Sequence, residues 1–231
     1  MTPDPCPPAQ AIRTVDLSFR RTDATDLPGY AGRLSVTPFG PPVLPVWCVW
    51  LESPSMPSPD RWEQRWSTAV DAALRTWADL VPIVRVGDPE RAHLRIERRR
   101  PPLRHLSQGW RASNGRALLE TLEVRRAGLW RLEPRLRVLI SPELRASVLQ
   151  ATALHELGHA FGLWGHSDDP SDALAIAQTS VPVIDLSDRD RLTFEWLRQQ
   201  PTRFGQLQPP GVSWRQVQNV LAKRRGAPRR H

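Results

Sequence analysis

The chain has 231 residues, 40% of them hydrophobic and 24% charged, with ten tryptophans and a formal net charge of +8. That is enough apolar material for one good core, and no run approaches the roughly 18 apolar residues of a membrane span. Lys223 is the only lysine; the arginines are dispersed apart from Arg98-Arg99-Arg100 and the run from Lys223 to Arg230, and no nucleic-acid motif with stacking aromatics accompanies them. No nucleic-acid partner is therefore expected.

The opening MTPDPCPPAQ lacks a basic head and an apolar stretch, so no signal peptide is expected, and a cytoplasmic location is the default. Residues 1–45 are rich in proline and turn residues with little periodicity, which reads as a mostly irregular arm. Cys6 and Cys48 are the only cysteines and stand too far apart in sequence for a disulfide framework; Cys48 reads as a buried thiol.

Val46 to Leu51 is an apolar β-rich run and predicts a buried strand. Asp60 is placed to cap a helix over 61–79, on which Trp62, Trp66, Ala69, Val70, Ala73, Leu74 and Trp77 recur at spacings of three and four. Core packing is the expected use of that tryptophan stripe. Ile83 to Val86 and Ala92 to Glu97 read as further strands, with Leu94 and Ile96 on the apolar face. His93 and His105 are expected to be solvated. Residues 99–115 read as a loop, followed by strands near 117–126 and 135–140.

Ser141 and Pro142 look like the cap and first position of a helix running to about Phe161, with Leu144, Val148, Ala151 and His155 on one stripe. Its end carries the densest chemistry in the chain. Residues 153–169 read A-L-H-E-L-G-H-A-F-G-L-W-G-H-S-D-D. His155 and His159 are four apart, so a helix sets both imidazoles on one face, where they can share a divalent metal. Glu156 points beside that face and can hold and deprotonate a metal-bound water. Gly162 can end the helix, and His166 then returns as a third ligand. Three protein ligands with one open position is the pattern of catalytic zinc.

Downstream, Ser187 caps a helix over 188–199 with Leu192, Phe194, Trp196 and Leu197 as packing residues. Glu195 on it is a rival third ligand. Residues 201–211 read as a linker, and 213–224 as a short basic amphipathic helix bearing Trp214, Val217 and Leu221.

The segment from His155 to Asp169 resembles the metzincin zinc proteases, whose signature is H-E-x-x-H-x-x-G-x-x-H, and most of all the matrixin branch with its bacterial relatives. Here one residue more, effectively Trp164, separates Gly162 from His166, and Leu174 stands about where the family has a methionine turn beneath the metal. The resemblance implies an α+β fold with a twisted mixed sheet of about five strands, a backing helix, an active-site helix and a C-terminal helix. It implies a catalytic domain over 46–200, between the arm of 1–45 and a tail of 201–231. It implies one catalytic Zn2+ held by His155, His159 and His166, with Glu156 as general base for hydrolysis of peptide bonds in a protein or peptide substrate. It also implies substrate contacts at Arg116, Ala117 and Leu118 on an edge strand, and at Leu174 and Val181 near the pocket for the residue after the cut bond. Family precursors cap zinc with a pro-segment cysteine, a role that Cys6 fits poorly. The family is usually exported, whereas this start is not a signal peptide. A monomer is expected, and the competing expectation is a catalytically inactive zinc-binding or interaction module of the same fold.

Overall fold

A computed structural model describes the chain apart from residues 1–3, 17, 22–25, 55–57, 107–108, 177–179, 210–213 and 215–231. The expected basic helix over 213–224 thus lies outside the described residues, Trp214 excepted. The fold is α+β, with a mixed six-stranded sheet and three α-helices. No helix among the described residues is long and apolar enough to cross a membrane.

The strands are β1 (Ala11–Val15), β2 (Arg20–Arg21), β3 (Ser35–Val36), β4 (Trp47–Leu51), β5 (Ile83–Arg85), β6 (Leu94–Arg98), β7 (Arg104–Leu106), β8 (Gly109–Arg111), β9 (Gly115–Arg126) and β10 (Leu129–Ile140). The helices are α1 (Arg61–Ala78), α2 (Ala146–Ala160) and α3 (Asp188–Arg198). The main sheet has the order β1-β9-β10-β6-β4-β5. β10, β6, β4 and β5 run parallel, and β9 is antiparallel to both of its neighbours. The pairs β2–β3 and β7–β8 form two small ribbons outside it.

β9 and β10 are longer than their apolar patterns suggest, because Arg126 and Leu129 pair across a two-residue turn. Ala127 and Gly128 there have φ of 47° and 80°, the left-handed pair of a tight hairpin. Pro134 does not stop β10. The parallel partner β6 joins only from Leu136, so Pro134 lies where β10 has β9 alone beside it. The supposed loop of 99–115 contains the β7–β8 hairpin.

α1 follows its pattern. Asp60 accepts from the amides of Trp62 and Glu63, and Glu63 returns the bond to Asp60, a reciprocal cap. Trp66 and Trp77 are fully buried and donate their indole N–H groups to the carbonyls of Ile140 and Leu154, tying α1 to the end of β10 and to α2. Trp62 is the exception to the expected stripe. It is 44% exposed and lies beneath the guanidinium groups of Arg61 and Arg65.

α2 begins four residues later than Ser141-Pro142 implied, at Arg145, and no side chain caps it. Ser141 is spent elsewhere: its amide bonds the Asn114 carbonyl and prolongs the β9–β10 ladder. The stripe packed into the core is Leu149, Ala153, Leu154, Leu157 and Ala160, turned from the expected one, so the histidine face adjoins the core instead of continuing it. α3 starts as expected, with Ser187 and Asp190 forming a reciprocal cap.

The N-terminal residues depart furthest from their reading. β1 adds an antiparallel strand to the sheet, paired with Thr121 to Arg125. Tyr30 and Leu34 are buried in the main core. Cys6 and Cys48 are joined in a disulfide, so Cys48 is no thiol. The two cysteines are 42 positions apart and meet because β1 is paired into the sheet, which separation in sequence does not reveal. His93, expected in solvent, is buried as well.

Candidate metal centre

The end of α2 explains how three histidines meet. Helical spacing puts His155 and His159 side by side, with Nε2 atoms 3.2 Å apart. Phe161 is the C-cap, and Gly162 follows with φ of 120°. The Gly162 amide bonds the His159 carbonyl and the Leu163 amide reaches back to the Gly158 carbonyl, the paired bonds of a Schellman turn. The extra residue is then taken up by two very tight bonds in succession, Trp164 N–H to Gly162 and Gly165 N–H to Leu163. His166 emerges with its ring 5.3 Å from that of His155 and 4.9 Å from that of His159. One ligand atom from each of the three lies within 4.8 Å of the others.

The hydrogen bonds decide which nitrogens face inward. His155 Nδ1 lies 2.9 Å from the Ala173 carbonyl and His159 Nδ1 lies 2.7 Å from the Leu163 carbonyl. A carbonyl only accepts, so each Nδ1 carries the proton and donates. Each Nε2 then presents a lone pair. Two lone pairs facing each other at 3.2 Å have no hydrogen to share, and with His166 they form a group that could hold a metal ion. Tetrahedral zinc with Zn–N of about 2.0–2.1 Å would set its nitrogens about 3.3 Å apart, close to that spacing. The donor set fits a divalent ion that accepts imidazole, and its identity is left open by imidazole chemistry alone.

Burial keeps these rings neutral. It holds His155 down to about 4, against the pull of the Ala173 carbonyl and helped by neighbouring His166. His159 is held well below its ordinary value by burial and by both other histidines. His166, the most exposed of the three, is lowered by burial too.

Glu156 is nearly buried beside this cluster. Burial pushes its carboxyl up to about 7, opposed by a hydrogen bond from the Ala117 backbone and by the charges of Arg116 and Arg104. Its side chain crosses Gly115 so closely that a Cβ there would stand 2.6 Å from Glu156 Cγ and equally near Thr152. A side chain at the start of β9 would have to displace Glu156 and Thr152, a role for glycine hidden at the end of what reads as the loop of 99–115.

A second layer holds the ligands. Asp190, fully buried on α3, accepts from Tyr30 Oη at 2.6 Å and from the amides of Ala173 and Ser187. It thereby fixes the carbonyl that orients His155. Buried Asp172 accepts from Ser167 and Ser187 and lies 3.2 Å from Arg189, which also holds Asp168 and Asp169. The N-terminal residues take part. Ser35 N–H bonds the Trp164 carbonyl, Arg33 pairs with Asp168, and Gly165 packs on the Arg33 backbone too closely for any side chain.

The cluster opens into a cleft of about 570 Å3 that reaches Phe19, Arg104, Arg116 and Ala117. Trp164 forms one wall, stacked on His159 and touched by Phe19. Of the other expected substrate contacts, Leu118 is partly exposed but does not line this cleft. Leu174 is wholly buried, packed 2.7 Å from where a Cβ on Gly158 would sit, so it supports α2 from below and does not line the cleft. Val181 is 71% exposed and also lies outside the cleft lining. Glu195 is exposed on α3 beside Asp79 and Leu80, away from the histidines. Cys6 is buried in its disulfide and offers no thiolate to a metal. Arg104, Phe19, Ser35 and Trp164 were not among the expected site residues. Trp164 had a signal, since an inserted bulky residue beside a ligand must pack somewhere. No protein-family model matches the chain, and no curated protein matches it significantly.

Proposed function

We propose that the protein is a zinc-dependent metalloendopeptidase of the matrixin-like metzincin type. The observation that carries this reading is the facing pair of unprotonated Nε2 atoms on His155 and His159, with His166 converging and Glu156 alongside. The succession of strand, helix and strands before α2 supports it. So does the edge of β9: among the described residues, 115–120 pair with β10 alone, because β1 begins its pairing at Thr121. An extended peptide can add to such an edge beside the catalytic groups.

His155, His159 and His166 would hold one zinc ion. Zinc there supplies a Lewis acid that polarises a peptide carbonyl and lowers the pKa of water toward about 7. Glu156 takes the proton of the attacking water as the carbon–oxygen bond forms. It delivers that proton to the leaving nitrogen as the carbon–nitrogen bond breaks. A carboxyl poised near neutrality by burial suits both halves of that transfer. The Ala173 and Leu163 carbonyls keep the two helix imidazoles in the metal-binding tautomer. Leu174 fills the space below α2 that the family gives to methionine. The Cys6–Cys48 disulfide favours an oxidising compartment, as an exported enzyme would meet, over the cytoplasmic default.

The test is zinc content and casein cleavage of the purified full chain beside Glu156→Ala. One zinc per chain in both, with cleavage lost only in the variant, supports the peptidase. One zinc in both and cleavage in neither leaves the inactive zinc-binding module as the reading.

A further inference from the structure

The cleft beside the histidines is charged unevenly. Arg116 stands at the start of β9 and Arg104 on β7, and both line the cleft with Glu156 at its floor. The two guanidinium groups lie close enough to feel each other. Arg116 is held below its ordinary value by partial burial and then by Arg104, with Glu156 pulling the other way. No ion pair joins either arginine to a carboxylate among the described residues. The hydrogen bond found for Arg116 is a long one, 3.4 Å to Ser113 Oγ. Neighbouring arginines with structural work are neutralised differently. Arg33 and Arg189 hold Asp168, Arg98 holds Glu63, Arg137 holds Glu97 and Arg126 holds Glu133. Two adjacent cations with no ion-pair partner among the described residues, facing one half-neutralised carboxyl, repel each other, and an incoming anion relieves that repulsion.

The free edge indicates what kind of anion. Among the described residues, no strand pairs with the outer side of β9 over 115–120, and Arg116 is part of that edge. An extended polypeptide can use the edge through its backbone while its side chains reach the arginines; the sugar-phosphate backbone of a nucleic acid has no amides for the edge. We propose that the cleft selects acidic polypeptide, with Arg104 and Arg116 setting the preference on the β9 side of the bond to be cut. The proposal rests on the peptidase reading for the word cut, but charge selection is a binding property and can be measured apart from hydrolysis.

The probes are two fluorescent decapeptides identical except for three Glu or three Lys, and a ten-nucleotide single strand. Binding is followed by anisotropy on zinc-loaded Glu156→Gln protein, which separates recognition from turnover. The acidic peptide should bind roughly tenfold more tightly than the basic one at moderate ionic strength. Arg104→Glu should erase or invert that ratio. Arg104 is exposed, so the change should leave the fold intact. Arg75→Glu alters net charge equally on the exposed side of α1, away from the cleft, and should leave the ratio unchanged. Equal affinities in the parent protein overturn the proposal. So does a ratio that survives Arg104→Glu, one that Arg75→Glu removes as fully, or an Arg104-dependent preference for the oligonucleotide over the acidic peptide. If the parent chain cuts neither peptide yet shows the Arg104-dependent ratio, selection stands and the peptidase reading alone falls.

Discussion

Two places in this molecule hold buried, neutral imidazoles, and they are wired in opposite senses. At the end of α2, His155 and His159 donate through Nδ1 to backbone carbonyls and turn Nε2 into the cleft. At the start of β6, His93 accepts the Cys48 amide on Nδ1 at 3.1 Å, so its proton is on Nε2, which faces Glu133 at 3.6 Å. Burial lowers His155 to about 4 and His93 to about 3, His93 with help from Arg126 and Arg135. A depressed imidazole is therefore no sign of a metal site by itself. The useful feature is a lone pair left over and aimed at space that an ion can enter. His93 has used its lone pair on the backbone. Its surroundings clamp the N-terminal residues: the disulfide joins Cys6 to Cys48, Arg126 reaches the Pro7 carbonyl, and Arg91 reaches the Cys6 carbonyl and Asp4.

The contrast is broken most directly by metal analysis. On the proposed function, His159→Ala should fall from one bound zinc per chain to none after dialysis and lose the proposed peptidase activity, whereas His93→Gln should keep its zinc. Loss of zinc in His93→Gln would dissolve the distinction. The next largest effect is expected at the clamp. Closing a loop of about 42 residues contributes about 4 kcal/mol in the chain-entropy picture. Cys6→Ser should lower unfolding stability toward that amount in denaturant titrations while zinc binding persists.

Acid should sharpen the comparison further. His93 binds no proton when folded until about pH 3, whereas the unfolded chain's imidazole binds one below about 6.5. The unfolded state thus holds more protons in that window. The stability due to a neutral His93 is fully present above pH 6.5 and is lost as pH falls from there toward 3. The loss is on the order of 3 kcal/mol by pH 4, from linkage. His93→Gln should have a flatter stability profile from pH 7 to 4 than the parent, measured on metal-free protein so that zinc does not contribute. The smallest effect concerns the contact of Tyr30 with α3 behind the histidine cluster. Tyr30→Phe removes the hydrogen bond to Asp190 and should cost about 2 kcal/mol, since the acceptor is a buried carboxylate. An unchanged stability would mean that Asp190 is held well enough by the Ala173 and Ser187 amides.

Much of the site was legible because its determinants are local. Four residues of helix set the spacing of His155 and His159, and glycine at 162 permits the turn that brings His166 back within seven residues. Asp60 and Ser187 announced two helix starts because a cap is a contact between near neighbours. The start of α2 was misread for the complementary reason: Ser141 is a good cap by composition, but its amide belongs to a strand ladder with Asn114. Trp62 shares the spacing of the buried tryptophans, and only the placement of α1 against the sheet shows that its side faces solvent.

What the order of residues determined by itself is the pair of imidazoles on one face of α2, the carboxylate beside it, the return of a third imidazole, the three helices, and the strands β4, β5, β6, β9 and β10. These follow from the 3.6-residue helical period, from alternation along strands and from the torsional freedom of glycine. Only the tertiary structure decided that the proline-rich start is a strand and a clamp, that Cys6 meets Cys48, that Gly115 makes room for Glu156, and that His93 is sealed while His155 is open. Each of those depends on residues distant in the chain arriving at one place. Such meetings are selected by the burial of the whole core, and no local pattern carries them.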